Sequence, residues 1–161
     1  TTSRRDAWGG PDVPYLVSVD DRLGDTFACA GSRYFAWTEE YTSDTLTRLI
    51  GPSDSFTFQV LERDSAGRVR RLLVAGNDTA VTWEGDAVRK GLRRPDGSSL
   101  RSTWFDLGVD SDRFVVHGRG WGHGIGMCQV GAIGRARAGQ DYRVILAVYY
   151  PGTTLVRLPG P

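Results

Sequence analysis

Methionine, lysine, histidine and cysteine are all scarce in this chain: one Met, one Lys (Lys90), two His (His117 and His123) and two Cys (Cys29 and Cys128) among 161 residues. Two cysteines are too few for a disulfide framework or a four-thiolate zinc site, though they suffice for one cross-link. Long apolar runs are also missing. No stretch approaches the roughly 18 residues that a bilayer-spanning helix needs, and no apolar segment follows Thr1-Thr2-Ser3-Arg4-Arg5 as it would in a secretory signal. Nor is there an excess of charge. Twenty Lys plus Arg against nineteen Asp plus Glu give a net charge of +1, which removes the global field that would draw nucleic acid or an anionic membrane. The strong preference for Arg over Lys reads as genomic base composition. Repeats, low-complexity tracts and charge blocks are absent as well, so a solenoid or a linker-joined array is excluded.

What remains is a composition that folds. Forty per cent apolar residues, with five Trp, six Tyr and six Phe, bury enough surface to offset chain entropy, and the length suits one domain over residues 1–161. Residues 1–36 read as irregular, apart from a short extended run Tyr15-Leu16-Val17-Ser18-Val19. Ser43 is placed as the N-cap of a helix with Leu46, Leu49 and Ile50 on one face, stopped by Gly51-Pro52. Phe56, Phe58 and Val60 alternate with Thr57 and Gln59, and Asp64-Ser65-Ala66-Gly67 turns the chain into Val69–Val74, which predicts a hairpin. Gly76-Asn77-Asp78 turns it again into Thr79–Trp83, and Gly85-Asp86 opens a brief helical turn ending near Leu92. Strands are predicted at Leu100–Leu107 and Arg113–Val116 around a polar loop at Gly108–Asp112, then helices at Gln129–Ala138 and from Asp141 to about Tyr149. The class is α+β: a mostly antiparallel sheet with a few short helices, two of them near the C-terminus.

The informative segment is Val116-His117-Gly118-Arg119-Gly120-Trp121-Gly122-His123-Gly124-Ile125-Gly126-Met127-Cys128-Gln129, with five glycines, one at every second position from Gly118 to Gly126. Extended, it projects Arg119, Trp121, His123, Ile125 and Met127 to one side and bare backbone to the other. Coiled, its glycines take positive φ and present N–H groups ahead of the helix at Gln129. The pattern leaves both open. A Walker loop is excluded because no Gly-Lys-Ser/Thr ends the run, and a dinucleotide fingerprint because its third Gly falls on His123 or Met127.

The string GRGWGHGIGMCQVGA, followed by Tyr142, Tyr149-Tyr150 and Pro151-Gly152-Thr153, strongly resembles the C-terminal signature of the SpoIID/LytB family, the stage II sporulation protein D-like proteins. Weaker matches precede it in order: Ala7-Trp8-Gly9, Pro14-Tyr15-Leu16, Val19-Asp20, Trp37, Gly67-Arg68-Val69 and Leu100-Arg101-Ser102-Thr103-Trp104-Phe105. The resemblance covers nearly the whole chain. It implies a bacterial cell-wall protein of the envelope or extracellular space, partnered by peptidoglycan glycan strands. Family members include a lytic transglycosylase and enhancers of amidases.

A lytic transglycosylase uses one carboxyl group first as acid on the glycosidic oxygen and then as base on the sugar's own 6-hydroxyl, a double duty that needs a raised pKa. The family's Glu lies in a Glu-Met-Pro type segment well before the Trp8-Gly9 region, and no such segment occurs here. The expectation is therefore no catalytic residue in this chain. The chain is expected to be the C-terminal part of a domain whose N-terminal segment lies upstream of Thr1 or on a separate chain. Glu39-Glu40, Glu62 and Glu84 read as solvated charges. By the resemblance, substrate-binding falls to Arg119, Trp121, His123, Gln129, Tyr149 and Tyr150, while His117 is structural. Cys128 stands where many relatives carry Ser. Two alternatives are open for it: a disulfide with Cys29 closing a loop of about 100 residues, worth up to roughly 4.7 kcal/mol by chain entropy, or a zinc site of Cys29, Cys128 and His123 lacking a fourth ligand. Three functions follow in order: part of a lytic transglycosylase-like protein, a non-catalytic peptidoglycan-binding or amidase-enhancing module, and a structural interaction domain.

Overall fold

The computed structural model describes residues 1–158 except Asp78. Among the described residues it is an α+β protein with three antiparallel sheets and five short helices. The elements run α1 (Arg4–Trp8), β1 (Arg22–Leu23), β2 (Thr26–Phe27), β3 (Trp37–Tyr41), α2 (Ser43–Ile50), β4 (Thr57–Arg63), β5 (Val69–Ala75), β6 (Ala80–Glu84), α3 (Asp86–Gly91), β7 (Phe105–Asp110), β8 (Arg113–Gly118), α4 (Gln129–Arg137) and α5 (Tyr142–Tyr149).

The meander β4-β5-β6 forms where the sequence predicts it, at a central strand whose Val69, Leu72 and Val74 point into the core. The first turn is locked by Asp64, whose Oδ1 accepts from Ala66 N and Arg68 N at 2.9 and 2.8 Å. Of the second turn, Gly76-Asn77-Asp78, the last residue lies outside those described.

The second sheet has the order β3-β8-β7. Strand β3 was not expected, because Trp-Thr-Glu-Glu-Tyr puts a Glu on the inner face between Trp37 and Tyr41. Its pairing places Trp37 opposite Gly118, and only glycine fits there: a Cβ on Gly118 would run into the Trp37 indole. The predicted strand at Leu100 begins only at Phe105. The five residues before it spend their backbone on other elements, with Leu100 N donating to Arg89 O, Thr103 O accepting from Val69 N and Arg101 O accepting from Gly122 N. The two sheets, α2 and α3 close over a core of Tyr41, Leu72, Val88, Leu92, Leu100, Phe105 and Val116.

Other boundaries shift by a residue or two. Thr42, not Ser43, caps α2, and β7 and β8 continue to a tight turn at Ser111-Asp112, with Ser111 at φ 58°. Tyr15–Val19 joins no ladder; its Leu16 carbonyl accepts from Arg4 N of α1, a helix the sequence left irregular. The two C-terminal helices match, α5 being capped by Asp141 through Arg143 N and Val144 N.

Candidate functional site

The glycine run is a coiled loop, not a strand. Strand β8 stops at Gly118, and Gly120, Gly122, Gly124 and Gly126 all have φ between 70° and 86°. A residue with a Cβ adopts that region at a cost of about 1–2 kcal/mol, so alternate glycines follow from alternate left-handed backbone. The loop is tied down along its length. Arg119 N donates to Trp104 O, Gly120 N to Tyr34 O, and Gly122 N to Arg101 O, while Gly124 O accepts from Thr2 N. Trp37 Nε1 donates to Gly120 O at 2.9 Å, and Ser102 Oγ donates to Arg119 O at 2.6 Å.

Three of the side chains this loop carries each meet an aromatic ring from elsewhere. Arg119 lies 5.7 Å from the Trp104 ring centre. Trp121 packs at 4.5 Å on Tyr34 yet stays 55 % exposed, with Arg101 at 5.8 Å from the same tyrosine. His123 sits 4.8 Å from Trp8, itself 57 % exposed. Ile125, the next in the series, turns inward and is buried.

His123 lines a small cleft with Asp6, Trp8, Arg68, Asp86 and Arg89. Its Nδ1 accepts from Ile125 N at 3.0 Å, which leaves the proton on Nε2 of a neutral ring. Burial, then the Arg89 and Arg68 charges, holds its pKa below the usual histidine value. Arg68 is buried, and its Nη1 has no hydrogen-bond partner among the described residues. Its guanidinium occupies the space a Gly124 side chain would need.

The remaining expected ligand-contacting residues divide. Gln129 is exposed at the first turn of α4, and the Tyr150 ring lies against Gly126. Tyr149 is fully buried, its hydroxyl donating to Asp21 Oδ1 at 2.6 Å, so it faces no outer surface. His117 is exposed, and its Nδ1 is hydrogen-bonded with Thr38 Oγ1 at 3.2 Å, although the sequence offered no partner.

Cys29 and Cys128 do come together, as free thiols, but the third member of their cluster is Asp21 and not His123. One ligand atom from each of Asp21, Cys29 and Cys128 lies within 4.8 Å of the others. His123 is directed to Trp8 and to its own loop, which corrects the expected ligand set. Cys128 caps α4, its sulfur accepting from Gly131 N at 3.4 Å. The hydrogen bond from Cys29 pulls the Cys128 thiol down to about 6, and the same contact, with burial, pushes Cys29 up. Asp21 is a buried carboxylate whose Oδ1 also accepts from Arg135 Nε at 3.2 Å.

Among the acids expected to be solvated, Glu39 differs: it is 9 % exposed and gripped by Arg94 at 2.9 Å and by Arg101. A carboxylate held by two guanidiniums serves as an internal ion pair. Sequence reasoning missed Asp21 and Arg135, which no motif joins across 114 residues, and Tyr34, whose only signal was an aromatic near Trp37.

The chain is similar in sequence to several known proteins. A stretch of 65 residues, 40 % of the chain, is 51 % identical to the amidase enhancer of Bacillus subtilis and covers 9 % of that protein. An uncharacterized protein of Brachyspira hyodysenteriae is 50 % identical over 152 residues, 91 % of this chain and 38 % of its own length. Stage II sporulation protein D of Bacillus subtilis is 26 % identical over 156 residues, 96 % of this chain and 41 % of its own. The chain thus spans less than half the length of each of these relatives. The family model described as a domain of unknown function, DUF8618, matches residues 22–126, well over half of the chain and most of the glycine loop. The protein belongs to that family.

Proposed function

We propose that this chain supplies a glycan-facing surface to a cell-wall protein of the envelope or extracellular space, in the manner of a peptidoglycan lytic transglycosylase. The observation that carries the reading is the run of loop side chains set against aromatic rings: Arg119 by Trp104, Trp121 on Tyr34, and His123 by Trp8. Exposed indole faces bind the apolar faces of sugars, and guanidinium and imidazole N–H groups donate to hydroxyl and acetamido oxygens. His123 Nε2 is a donor in that cleft for such oxygens. The names of the two Bacillus subtilis relatives, an amidase enhancer and a sporulation protein, support a cell-wall role.

The transglycosylase reading needs a carboxyl group held protonated beside the sugar. Asp86, next to His123 in the cleft, is unsuited: its hydrogen bond with Lys90 holds it below the usual carboxylate range. On this reading the acid is supplied from outside residues 1–161. The test is digestion of stem-peptide-free glycan by the full-length gene product. Anhydro-ended fragments, lost when that acid is replaced by its amide, support the reading. Intact glycan, with no retention of the protein on it, sinks it.

A second reading is favoured by the 51 % match to an amidase enhancer: the same surface holds the wall while a separate amidase cuts. In that case the protein raises the rate of a purified cell-wall amidase and forms no anhydro ends.

A further inference from the structure

The cluster at the start of α4 is built from three distant parts of the chain. Asp21 precedes the β1-β2 ribbon, and Cys29 lies just after it, the two strands bringing them close through Ala28 N donating to Asp21 O at 2.9 Å. Cys128 arrives from the end of the glycine loop as the cap of α4. Helix α4 approaches this ribbon closely because Gly131 and Gly134 face it. A Cβ on Gly134 would collide with Ala28 O, and one on Gly131 with Asp21 Oδ2 and the Tyr149 hydroxyl.

Asp21 carries the decisive detail. Its side chain is 92 % buried, and only one of its oxygens is used: Oδ1 takes Tyr149 OH and Arg135 Nε, while Oδ2 has no partner among the described residues. A buried polar oxygen is seldom left bare inside a protein without a reason. The bare oxygen belongs to the same group of donor atoms as two sulfurs.

We propose that Asp21, Cys29 and Cys128 bind one thiophilic divalent cation, zinc being the ion this donor set suits, through Asp21 Oδ2 and the two sulfurs, with a fourth position open to solvent or ligand. Two sulfurs and one carboxylate oxygen select zinc-like ions over calcium or magnesium, which prefer all-oxygen sites. The surroundings are those of a metal site. Tyr149 and Arg135 fix the carboxylate from behind through Oδ1, as outer partners of a ligand do, and Gly131 N donates to the Cys128 sulfur at the positive end of the helix. Both sulfurs bind as thiolates, so metal uptake releases protons and strengthens with pH.

The site and a Cys29–Cys128 disulfide exclude one another, and the experiment separates them. The reduced full-length protein is stripped with a chelator and titrated with cobalt(II), and thiolate-to-metal charge-transfer absorption in the near ultraviolet is followed. The expected result is one equivalent of cobalt, displaced by zinc. The band is lost in Cys29→Ser and in Cys128→Ser, and is kept in His123→Ala. Tyr149→Phe, which leaves all three donors in place, weakens affinity about 10–100-fold. Circular dichroism of each variant shows that it is folded. A reduced, folded wild-type protein without the band overturns the proposal, and so does a band that survives both cysteine substitutions or disappears with His123→Ala.

Discussion

Replacing Gly131 by alanine separates packing from propensity, because the two predict opposite signs. In the first turn of α4, alanine is favoured over glycine by up to about 1 kcal/mol on helix propensity alone. At this position, however, the new Cβ falls within contact distance of Asp21 Oδ2 and the Tyr149 hydroxyl, far too close to stay. Either the helix lifts from the ribbon or the carboxylate turns away. The first costs about 1–3 kcal/mol as overpacking. The second weakens the charged hydrogen bonds of Asp21 to Tyr149 and Arg135, each worth about 1.5–3 kcal/mol. Neither flexible-chain rearrangement is available, since Tyr149 is fully buried and Arg135 nearly so. The expected net loss is about 2–3 kcal/mol, a fall in melting temperature of about 5–10 °C for a chain of this size. The assay is thermal unfolding of the metal-free reduced protein followed by circular dichroism. Gly31→Ala, where nothing lies near the added carbon and φ is not positive, is the control. A Gly131→Ala protein that melts at or above wild type would refute the packing of α4 on Asp21.

Further outcomes are expected elsewhere. Gly122→Ala meets no neighbouring atom but must hold φ 86°, so it costs about 1–2 kcal/mol by chemical denaturation; no change means the loop relaxes freely. Glu39→Ala leaves Arg94 and Arg101 without their shared partner and costs about 3 kcal/mol in urea unfolding, whereas a loss under about 0.5 kcal/mol, the size of an ordinary surface change, contradicts its reading as an internal ion pair. His123 has a folded pKa below its unfolded one, so below about pH 6.5 the unfolded chain takes up the proton first. Stability is whole above that value, falls as pH drops toward the folded pKa, and levels off beneath it. His123→Gln should remove that part of the pH dependence of the melting temperature, and an unchanged profile counts against burial as the cause.

Much of the scaffold could be read from the chain because local chemistry and tertiary role agree there. The alternation Phe56, Phe58, Val60 with the Asp64-Gly67 turn gave the β4-β5 hairpin, and Asp141 and Gly139 bounded α5 and α4. Strand β3 escaped because Glu39 occupies an inward position that only Arg94 and Arg101, more than 50 residues later, make tolerable. The segment Leu100–Trp104 looked like strand for the opposite reason. Its residue types suit a sheet, yet its backbone bonds serve α3, β5 and the glycine loop. At the candidate site the glycine spacing announced a special backbone but left its form open, since positive φ and an extended bare face demand the same residue. Tyr149 stood beside Tyr150 in sequence, and only the packing of α5 on Asp21 distinguishes the buried one. Asp21 carried no signal at all: an Asp in Val-Asp-Asp-Arg reads as a turn until the cysteines are brought to it.

The central claim, that the aromatic-backed loop binds glycan, is tested most directly by a binding isotherm of stem-peptide-free glycan strands with the wild-type protein and with Trp121→Ala. Trp121 is exposed and makes its ring contact with Tyr34 alone among the described residues, so its removal should leave the melting temperature nearly unchanged. Affinity should fall about tenfold, equivalent to about 1.4 kcal/mol. A wild-type protein that does not bind, or a Trp121→Ala protein that binds as tightly, contradicts it.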